Sequence, residues 1–323
     1  MALLVTARVE RFDVAGAFTI SRGAKTHVDV VVCEVRADGV TGRGEGTPIY
    51  YRGETAAGCI AQIRRWARAG AHADRARLLA ELPPGAARNA LDCALWDLEA
   101  RQLDVPLHVL AGLARPEPVA TALTISLAAP PDMERAAAGA AARGFVLLKA
   151  KLAGDGDDPA RVAAIRRGAP LARIVVDANE GWLGRDVAAG AAELAAQGVE
   201  LLEQPLPPGD DAALAGLDCA IPLCADESCH TAADLPRIAG RYRAINVKLD
   251  KAGGLTAALE LARAAQAQGL DLMLGCMLST SLAIRPALAL AGLARWVDLD
   301  GPALLAKDRD GGLRYSGGMI WPD

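Results

Sequence analysis

Residues 174–179, Ile-Val-Val-Asp-Ala-Asn, form a short apolar run that ends on a carboxylate. The pattern recurs downstream as Leu201-Leu202-Glu203 and Cys224-Ala225-Asp226, and upstream as Leu147-Leu148-Lys149-Ala150-Lys151. Short runs rich in β-branched and aliphatic residues read as buried strands. Working outward, eight such runs lie at 119–126, 146–151, 174–179, 201–205, 222–228, 244–250, 270–277 and 297–301. Ala/Leu/Arg-rich stretches at 133–143, 159–167, 187–197 and 256–268 read as the helices between them. The markers Lys151, Asp177, Glu203, Asp226 and Lys248 are 26, 26, 23 and 22 residues apart. Strand and helix alternating at that period imply parallel βαβ units, and eight of them close into a barrel. A doubly wound sheet competes, but no Gly-x-Gly-x-x-Gly follows the first run. The barrel is the expected fold. Roughly 180 residues is less than a full barrel usually takes. The last unit is therefore expected to be incomplete, with the tail from Ala303 packing back on the N-terminal region.

Residues before 115 have a different texture. Val28–Val35 is a β-branched run ending at the turn Asp38-Gly39, and Thr41–Glu45 reads as its hairpin partner. Residues 55–68 and 86–102 read as helices, the second opened by Pro83-Pro84-Gly85. The expected organisation is an α+β capping domain at 1–115, an α/β barrel at 116–302 and a C-terminal segment at 303–323. Gly42-x-Gly44-x-Gly46 lacks the Lys-Ser/Thr pair of a phosphate loop and reads as part of the cap hairpin. Gly253-Gly254 reads as a plain loop opening a helix.

Composition excludes several classes. The chain has 323 residues, with 35 Lys and Arg against 39 Asp and Glu, and only 4% aromatics. Without a basic stripe or stacking platform, nucleic acid has little to hold. Mean hydropathy is +0.19, yet the longest apolar window, Leu272–Ala294, is broken by Ser279, Thr280, Ser281, Arg285 and Pro286. Ala2–Val5 is too short for the core of a signal peptide. A cytoplasmic, non-membrane protein is expected. The cysteines at 33, 59, 93, 219, 224, 229 and 276 form no Cys-x-x-Cys, so reduced thiols are expected rather than a zinc site.

In a barrel of this kind the carboxyl ends of the strands build the active site. Strand two ends in Lys149 and Lys151, which alternation places on one side. Strands three, four and five end in Asp177, Glu203 and Asp226, strand six in Lys248, and strand eight in Asp298 and Asp300. Three converging carboxylates repel unless a cation sits between them, and a hard divalent ion such as Mg²⁺ suits oxygen ligands. His230 beyond Asp226 reads as a cap or surface residue. Lys151 and Lys248 lie across the barrel from each other, so one base could serve each face of a planar intermediate. Lys149 and the metal would push such a lysine toward a pKa of about 7–8. Removal of a proton on one face and its return on the other is racemisation or epimerisation.

These motifs resemble the enolase superfamily, in its muconate lactonising subgroup. The likeness rests on Lys149-Ala150-Lys151, Asp177-Ala178-Asn179-Glu180, Glu203-Gln204-Pro205, Ala225-Asp226-Glu227-Ser228 and Val247-Lys248-Leu249-Asp250-Lys251, and on the cap helix Ala90–Asp97. It implies a modified (β/α)₇β barrel with an α+β cap, which also accounts for the short barrel. By the resemblance, Asp177, Glu203 and Asp226 hold one Mg²⁺ per subunit, and Lys151 and Lys248 are the acid/base pair. Lys149 would neutralise the substrate carboxylate. Within the subgroup the chain looks like the dipeptide epimerases. That likeness implies that Asp298 and Asp300 bind the ammonium terminus of a dipeptide and that Arg22 meets a glutamate side chain. Thr124, Cys276 and Met277 join the substrate-binding set on the same ground. The implied reaction interconverts L-Ala-L-Glu and L-Ala-D-Glu, in the recycling of cell-wall peptide. The alternatives are N-acylamino acid racemisation, o-succinylbenzoate synthesis, muconate cycloisomerisation or ligand binding without catalysis. The expected partner is the small substrate, and a homo-oligomer is compatible with the sequence.

Overall fold

The computed structural model describes residues 3–70 and 74–322. Residues 1, 2, 71–73 and 323, which fall in the expected first and last segments, lie outside the described residues. Three strands, β1 (Leu4–Ile20), β2 (Gly23–Ala37) and β3 (Val40–Gly46), form an antiparallel sheet in that order. The hairpin at Asp38-Gly39 stands where the sequence put it. Three helices follow: α1 (Ala56–Arg68), α2 (Arg75–Glu81) and α3 (Ala86–Leu103).

The three alternate glycines of β3 have a packing role. A Cβ on Gly42, Gly44 or Gly46 would lie 2.2 Å from the carbonyl oxygen of Ala94, Ala90 or Ala86 respectively. Only glycine lets α3 lie directly on the strand. The opposite face of α3 meets the barrel side through buried polar groups. Arg88 donates to the carbonyls of Ala252 and Gly253, Asn89 to Asp250 Oδ1, and Trp96 Nε1 to Thr256 Oγ1. Satisfied groups of this kind fix how two packed layers sit.

β4 (Val119–Ala120) precedes eight parallel strands: β5 (Ala122–Ile125), β6 (Leu147–Lys151), β7 (Arg173–Asp177), β8 (Val199–Glu203), β9 (Leu223–Ala225), β10 (Ala244–Val247), β11 (Asp271–Gly275) and β12 (Trp296–Asp298). They pair in sequence order from β5 to β12. No ladder bonds close the ring among the described residues. Instead Leu299 N donates to Thr121 Oγ1 at 2.9 Å and Thr124 N to Asp300 Oδ2 at 2.6 Å.

One inward residue per strand, Ala122, Leu147, Val175, Leu201, Cys224, Ala244, Met273 and Trp296, makes a buried apolar layer. Strand alternation puts the next inward residue two positions on. Those residues are Thr124, Lys149, Asp177, Glu203, Asp226, Asn246, Gly275 and Asp298. Hydrophobic burial at the bottom of the barrel thus supports a polar floor at its carboxyl end. Gly275 makes room there, since a Cβ would come within 2.4 Å of Asn246 Oδ1.

The C-terminal residues end in a hairpin, β13 (Arg314–Ser316) and β14 (Met319–Trp321), whose second strand pairs with β4. On the way, Ala306 N donates to Asp13 O at 2.8 Å and Arg309 Nη2 lies 2.8 Å from Glu45 Oε2. No helix among the described residues is long and apolar enough to cross a membrane.

Candidate active site

A cavity of about 210 Å³ opens at the carboxyl ends of the strands, beneath the β1–β2 hairpin. Arg22, Thr124, Lys149, Lys151, Asp226, Lys248, Cys276, Met277, Asp298 and Asp300 all line it. Asp177 and Glu203 lie just below, fully buried. The candidate catalytic, metal-holding and substrate-binding residues named from the sequence are therefore gathered at this one place.

One carboxylate oxygen from each of Asp177, Glu203 and Asp226 falls within 4.8 Å of the others. The repulsion expected among them is met by ammonium groups. Lys149 Nζ lies 2.7 Å from Glu203 Oε2, 2.9 Å from Asp298 Oδ2 and 3.4 Å from Asp177 Oδ2. Lys151 and Lys248 sit 2.6 and 2.7 Å from Asp177 and Asp226, and Lys251 lies 2.7 Å from Asp226 Oδ1. A metal site therefore rests here on the donor set, not on unbalanced charge. Glu203 Oε2 and Asp226 Oδ1 are buried and accept no well-directed hydrogen bond, despite the nearby ammonium groups. Three hard oxygens at that spacing, with no His or Cys among them, fit Mg²⁺.

Burial lowers the affinity of Lys149 for its proton, but Asp298, Glu203 and Asp177 outweigh it and hold the pKa well above the ordinary range. The same balance acts at Lys248. Burial pulls its pKa down, and so does Lys149, as anticipated, yet Asp226, Glu203 and Glu227 leave it raised. The side chains alone do not make Lys248 a lysine of pKa 7–8. Glu203 is raised, first by burial and then by Asp177.

His230 also departs from expectation. It is buried, not on the surface: Arg52 lies 3.0 Å from Nδ1, and Tyr51 packs edge-on with ring centroids 6.0 Å apart. Burial, with Lys251 and Arg52, lowers its pKa to about 3, so it is neutral.

Matching against known families assigns residues 4–112 to the mandelate racemase / muconate lactonizing enzyme N-terminal domain and residues 132–323 to the enolase C-terminal domain-like family. The chain belongs to the mandelate racemase/muconate lactonizing enzyme family of the enolase superfamily. It is 47% identical over 307 residues to L-Ala-D/L-Glu epimerase of Escherichia coli strain K12, covering 94% of each chain. It is 48% identical over 245 residues to N-acetyl-D-glutamate racemase of a Pseudoalteromonas species, covering 76% of each. Among solved structures, an enolase family member from Agrobacterium tumefaciens with homology to dipeptide epimerases carries sodium and L-Ala-L-Glu. It shares 46% identity, covers 99% and 98% of the two chains and superposes with a TM-score of 0.94. The dipeptide epimerase of Cytophaga hutchinsonii, complexed with Mg and D-Ala-L-Val, is 26% identical, with coverage of 100% and 94% and a TM-score of 0.94.

Several residues to which the sequence reading gave no role also shape the site. Asn246 Nδ2 donates to Glu203 Oε1 at 2.8 Å, and Lys251 Nζ to the carbonyl of Asp226 at 2.6 Å. Gln204 Oε1 accepts from Asp226 N at 2.8 Å and Ser228 N at 3.1 Å. Asn179, Glu180 and Gln204 have φ of 42°, 67° and 38°. Strained backbone of this kind persists where surroundings enforce it. Asn246 was open to inference, being two residues before Lys248 on the inward face. The left-handed residues left no mark in composition or period.

Proposed function

We propose that this chain is a Mg²⁺-dependent isomerase that epimerises an N-acylated glutamate at its α-carbon, with L-Ala-L-Glu and L-Ala-D-Glu as the pair interconverted. The observation that carries this is the placement of two lysines on β6 and beyond β10, four strands apart in an eight-stranded ring, over one carboxylate cluster. Lys151 removes the α-proton on one face of the substrate and Lys248 returns one on the other, with an enolate between the two transfers. One Mg²⁺ per subunit, held by Asp177, Glu203 and Asp226, would offset the second negative charge on the substrate carboxylate. Lys149 adds a fixed positive charge to the same end.

Asp298 and Asp300 suit the ammonium of a dipeptide. Asp298 Oδ1 is buried without a hydrogen bond, and the Asp300 pKa is raised by burial and by Asp298. A cation placed between them relieves both effects. Arg22, Thr124, Cys276 and Met277 complete the substrate-binding wall. We read residues 1–115 as the cap, 116–302 as the barrel and 303–323 as a strap returning to the cap. A reducing cytoplasm suits its seven free thiols.

A second reading, N-acetylglutamate racemisation, is favoured by the similarity to the Pseudoalteromonas enzyme. It shares the glutamate and the proton chemistry but lacks the ammonium. The deciding experiment is ¹H NMR of L-Ala-L-Glu with protein and Mg²⁺ in D₂O. Loss of the glutamate α-proton signal with appearance of L-Ala-D-Glu supports the proposal. Absence of exchange with the dipeptide, alongside exchange with N-acetyl-L-glutamate, moves the assignment to the second reading.

A further inference from the structure

We propose that Asp158, which does not line the cavity, is the positioning residue of Lys151: it clasps together the loops that follow β6 and β7 and so holds one of the two bases in place. This rests on the two-base reading above and gives one half of that reaction a support the other half lacks.

Asp158 opens the helix Asp158–Gly168 and is fully buried. Its Oδ1 accepts from Ala153 N and Arg161 Nη1, both at 2.9 Å. Its Oδ2 accepts from Gly154 N at 2.9 Å, Trp182 Nε1 at 2.8 Å and Arg185 Nη1 at 3.3 Å. Ala153 and Gly154 are the second and third residues past Lys151, so two of these bonds fix the chain as it leaves β6. Trp182 fixes the chain beyond β7: its own N–H donates to Pro205 O at 2.9 Å, and a Cβ on Gly190 would come within 2.7 Å of its ring. Where the two loops cross they meet backbone to backbone, since a Cβ on Gly154 would collide with the carbonyl of Gly181.

Lys151 and Asp177 stand at the root of these two loops, paired as the last residues of β6 and β7. Leu152 N donates to Asp177 O at 2.9 Å. The left-handed turn Asn179-Glu180, just before Trp182, returns Asn179 N to Asp177 Oδ1 at 2.9 Å and Asn179 Nδ2 to Oδ2 at 3.2 Å. Asp177 Oδ2 in turn accepts from Lys151 Nζ. The contacts therefore run from Asp158 to both members of the pair. A buried carboxylate is costly unless donors meet it, and here every donor comes from the segments that follow Lys151 and Asp177. Among the described residues its partners all lie between Ala153 and Arg185, whereas Lys248 and Asp226 stand across the ring. Loosening the clasp should thus disturb one base and spare the other.

The test follows loss of the α-proton from L-Ala-L-Glu and from L-Ala-D-Glu separately in D₂O, using the full chain at saturating Mg²⁺. Lys151→Ala shows which isomer Lys151 deprotonates. Asp158→Asn should slow exchange of that isomer by roughly tenfold to hundredfold, the usual cost of a catalytic group moved by about an ångström. Exchange of the other isomer should stay close to wild type. An amide oxygen can serve the donors on one side only, and Arg161 keeps its two bonds to Asp155, so the substitution opens the clasp without stranding that cation. Trp182→Phe keeps an aromatic ring and removes one donor. It should show the same bias more weakly, and it carries the test if Asp158→Asn does not fold. Equal slowing of both isomers, or no slowing of either, in a folded variant overturns the assignment and leaves the two bases as they are. Loss of both exchanges in Lys151→Ala instead removes the two-base reading, and this inference with it.

Discussion

Lys151 Nζ donates to Asp177 Oδ2 at 2.6 Å, from the last residue of β6 to the last residue of β7. Lys248, just past the end of β10, likewise donates to Asp226, just past the end of β9, at 2.7 Å on the opposite side of the ring. Each proposed base is therefore held by a proposed metal ligand.

Replacing either base should separate the two half-reactions. Lys151→Ala or Lys248→Ala should reduce epimerisation by about 10²–10⁴-fold, the usual worth of a positioned acid or base. Each should still exchange the α-proton of one stereoisomer with solvent, and the two variants should choose opposite isomers. ¹H NMR in D₂O, run separately on L-Ala-L-Glu and L-Ala-D-Glu, reads this directly. Equal exchange of both isomers by either variant would contradict a base on each face.

Metal removal should be visible in stability as well as in turnover. An ion that binds only the folded chain stabilises it by about 2.7 kcal/mol at a hundred times its dissociation constant. Mg²⁺ added to chelator-treated protein should raise Tm, and Glu203→Gln should shrink that shift, since Glu203 offers one of the three clustered oxygens. A Tm unmoved by Mg²⁺, with turnover persisting in excess EDTA, would remove the metal from the mechanism.

Much of the site could be read from the chain because a parallel strand delivers its last inward side chain to one end of the barrel. Asp177, Glu203 and Asp226 needed only the apolar runs before them to be placed. Lys149 is visible in the sequence as a neighbour of the bases, whereas the way Asp226, Glu203 and Glu227 together hold the Lys248 pKa up depends on the closed ring. His230 was misplaced for a related reason, since Tyr51 and Arg52, which bury it, lie almost 180 residues earlier in the sequence.

Asp250 should make stability depend on pH. It is buried, and burial raises its pKa from 3.8 to about 7 despite hydrogen bonds from Thr47 N and Asn89. A raised folded-state pKa means stabilisation that is complete below the unfolded value and lost as pH rises through the folded one. Wild type should therefore lose on the order of a few kcal/mol between pH 4 and pH 8 from this group. Both hydrogen bonds use Oδ1, so Asp250→Asn can keep them. The variant should match wild type near pH 4 and exceed it near pH 8 in denaturant titrations. A difference between the two that is constant across that range would refute the account.

The glycine stripe of β3 predicts a steep packing cost. A Cβ on Gly44 would lie 2.2 Å from Ala90 O and 2.6 Å from Ala94 N, both backbone atoms of α3. Gly44→Ala should destabilise the fold by about 3 kcal/mol or more, because the whole helix has to move. Gly139 in the helix Pro130–Ala142 is the counterpart, with nothing within 4 Å of its Cβ position. Gly139→Ala should be neutral or stabilise by up to about 1 kcal/mol. Similar midpoints in urea for both variants would show that α3 does not rest on β3 in this way.

Asp300 separates the dipeptide from the N-acetyl substrate. Its Oδ2 accepts from Thr124 N, a bond that Asp300→Asn can retain through its amide oxygen. What the substitution removes is negative charge beside Asp298, whose Oδ2 is already held by Lys149. A dipeptide brings an ammonium to this corner and N-acetylglutamate brings a methyl group. If the site is built for the dipeptide, the preference for L-Ala-L-Glu over N-acetyl-L-glutamate in kcat/KM should fall by roughly tenfold to hundredfold in Asp300→Asn, the usual worth of a charge-assisted bond. The loss should also appear in wild type as pH falls through the raised pKa of Asp300, since the protonated acid no longer attracts an ammonium. A ratio unchanged by the substitution and by pH would mean that no ammonium is read at this corner, and the N-acetylglutamate reaction would then be the better description of the enzyme.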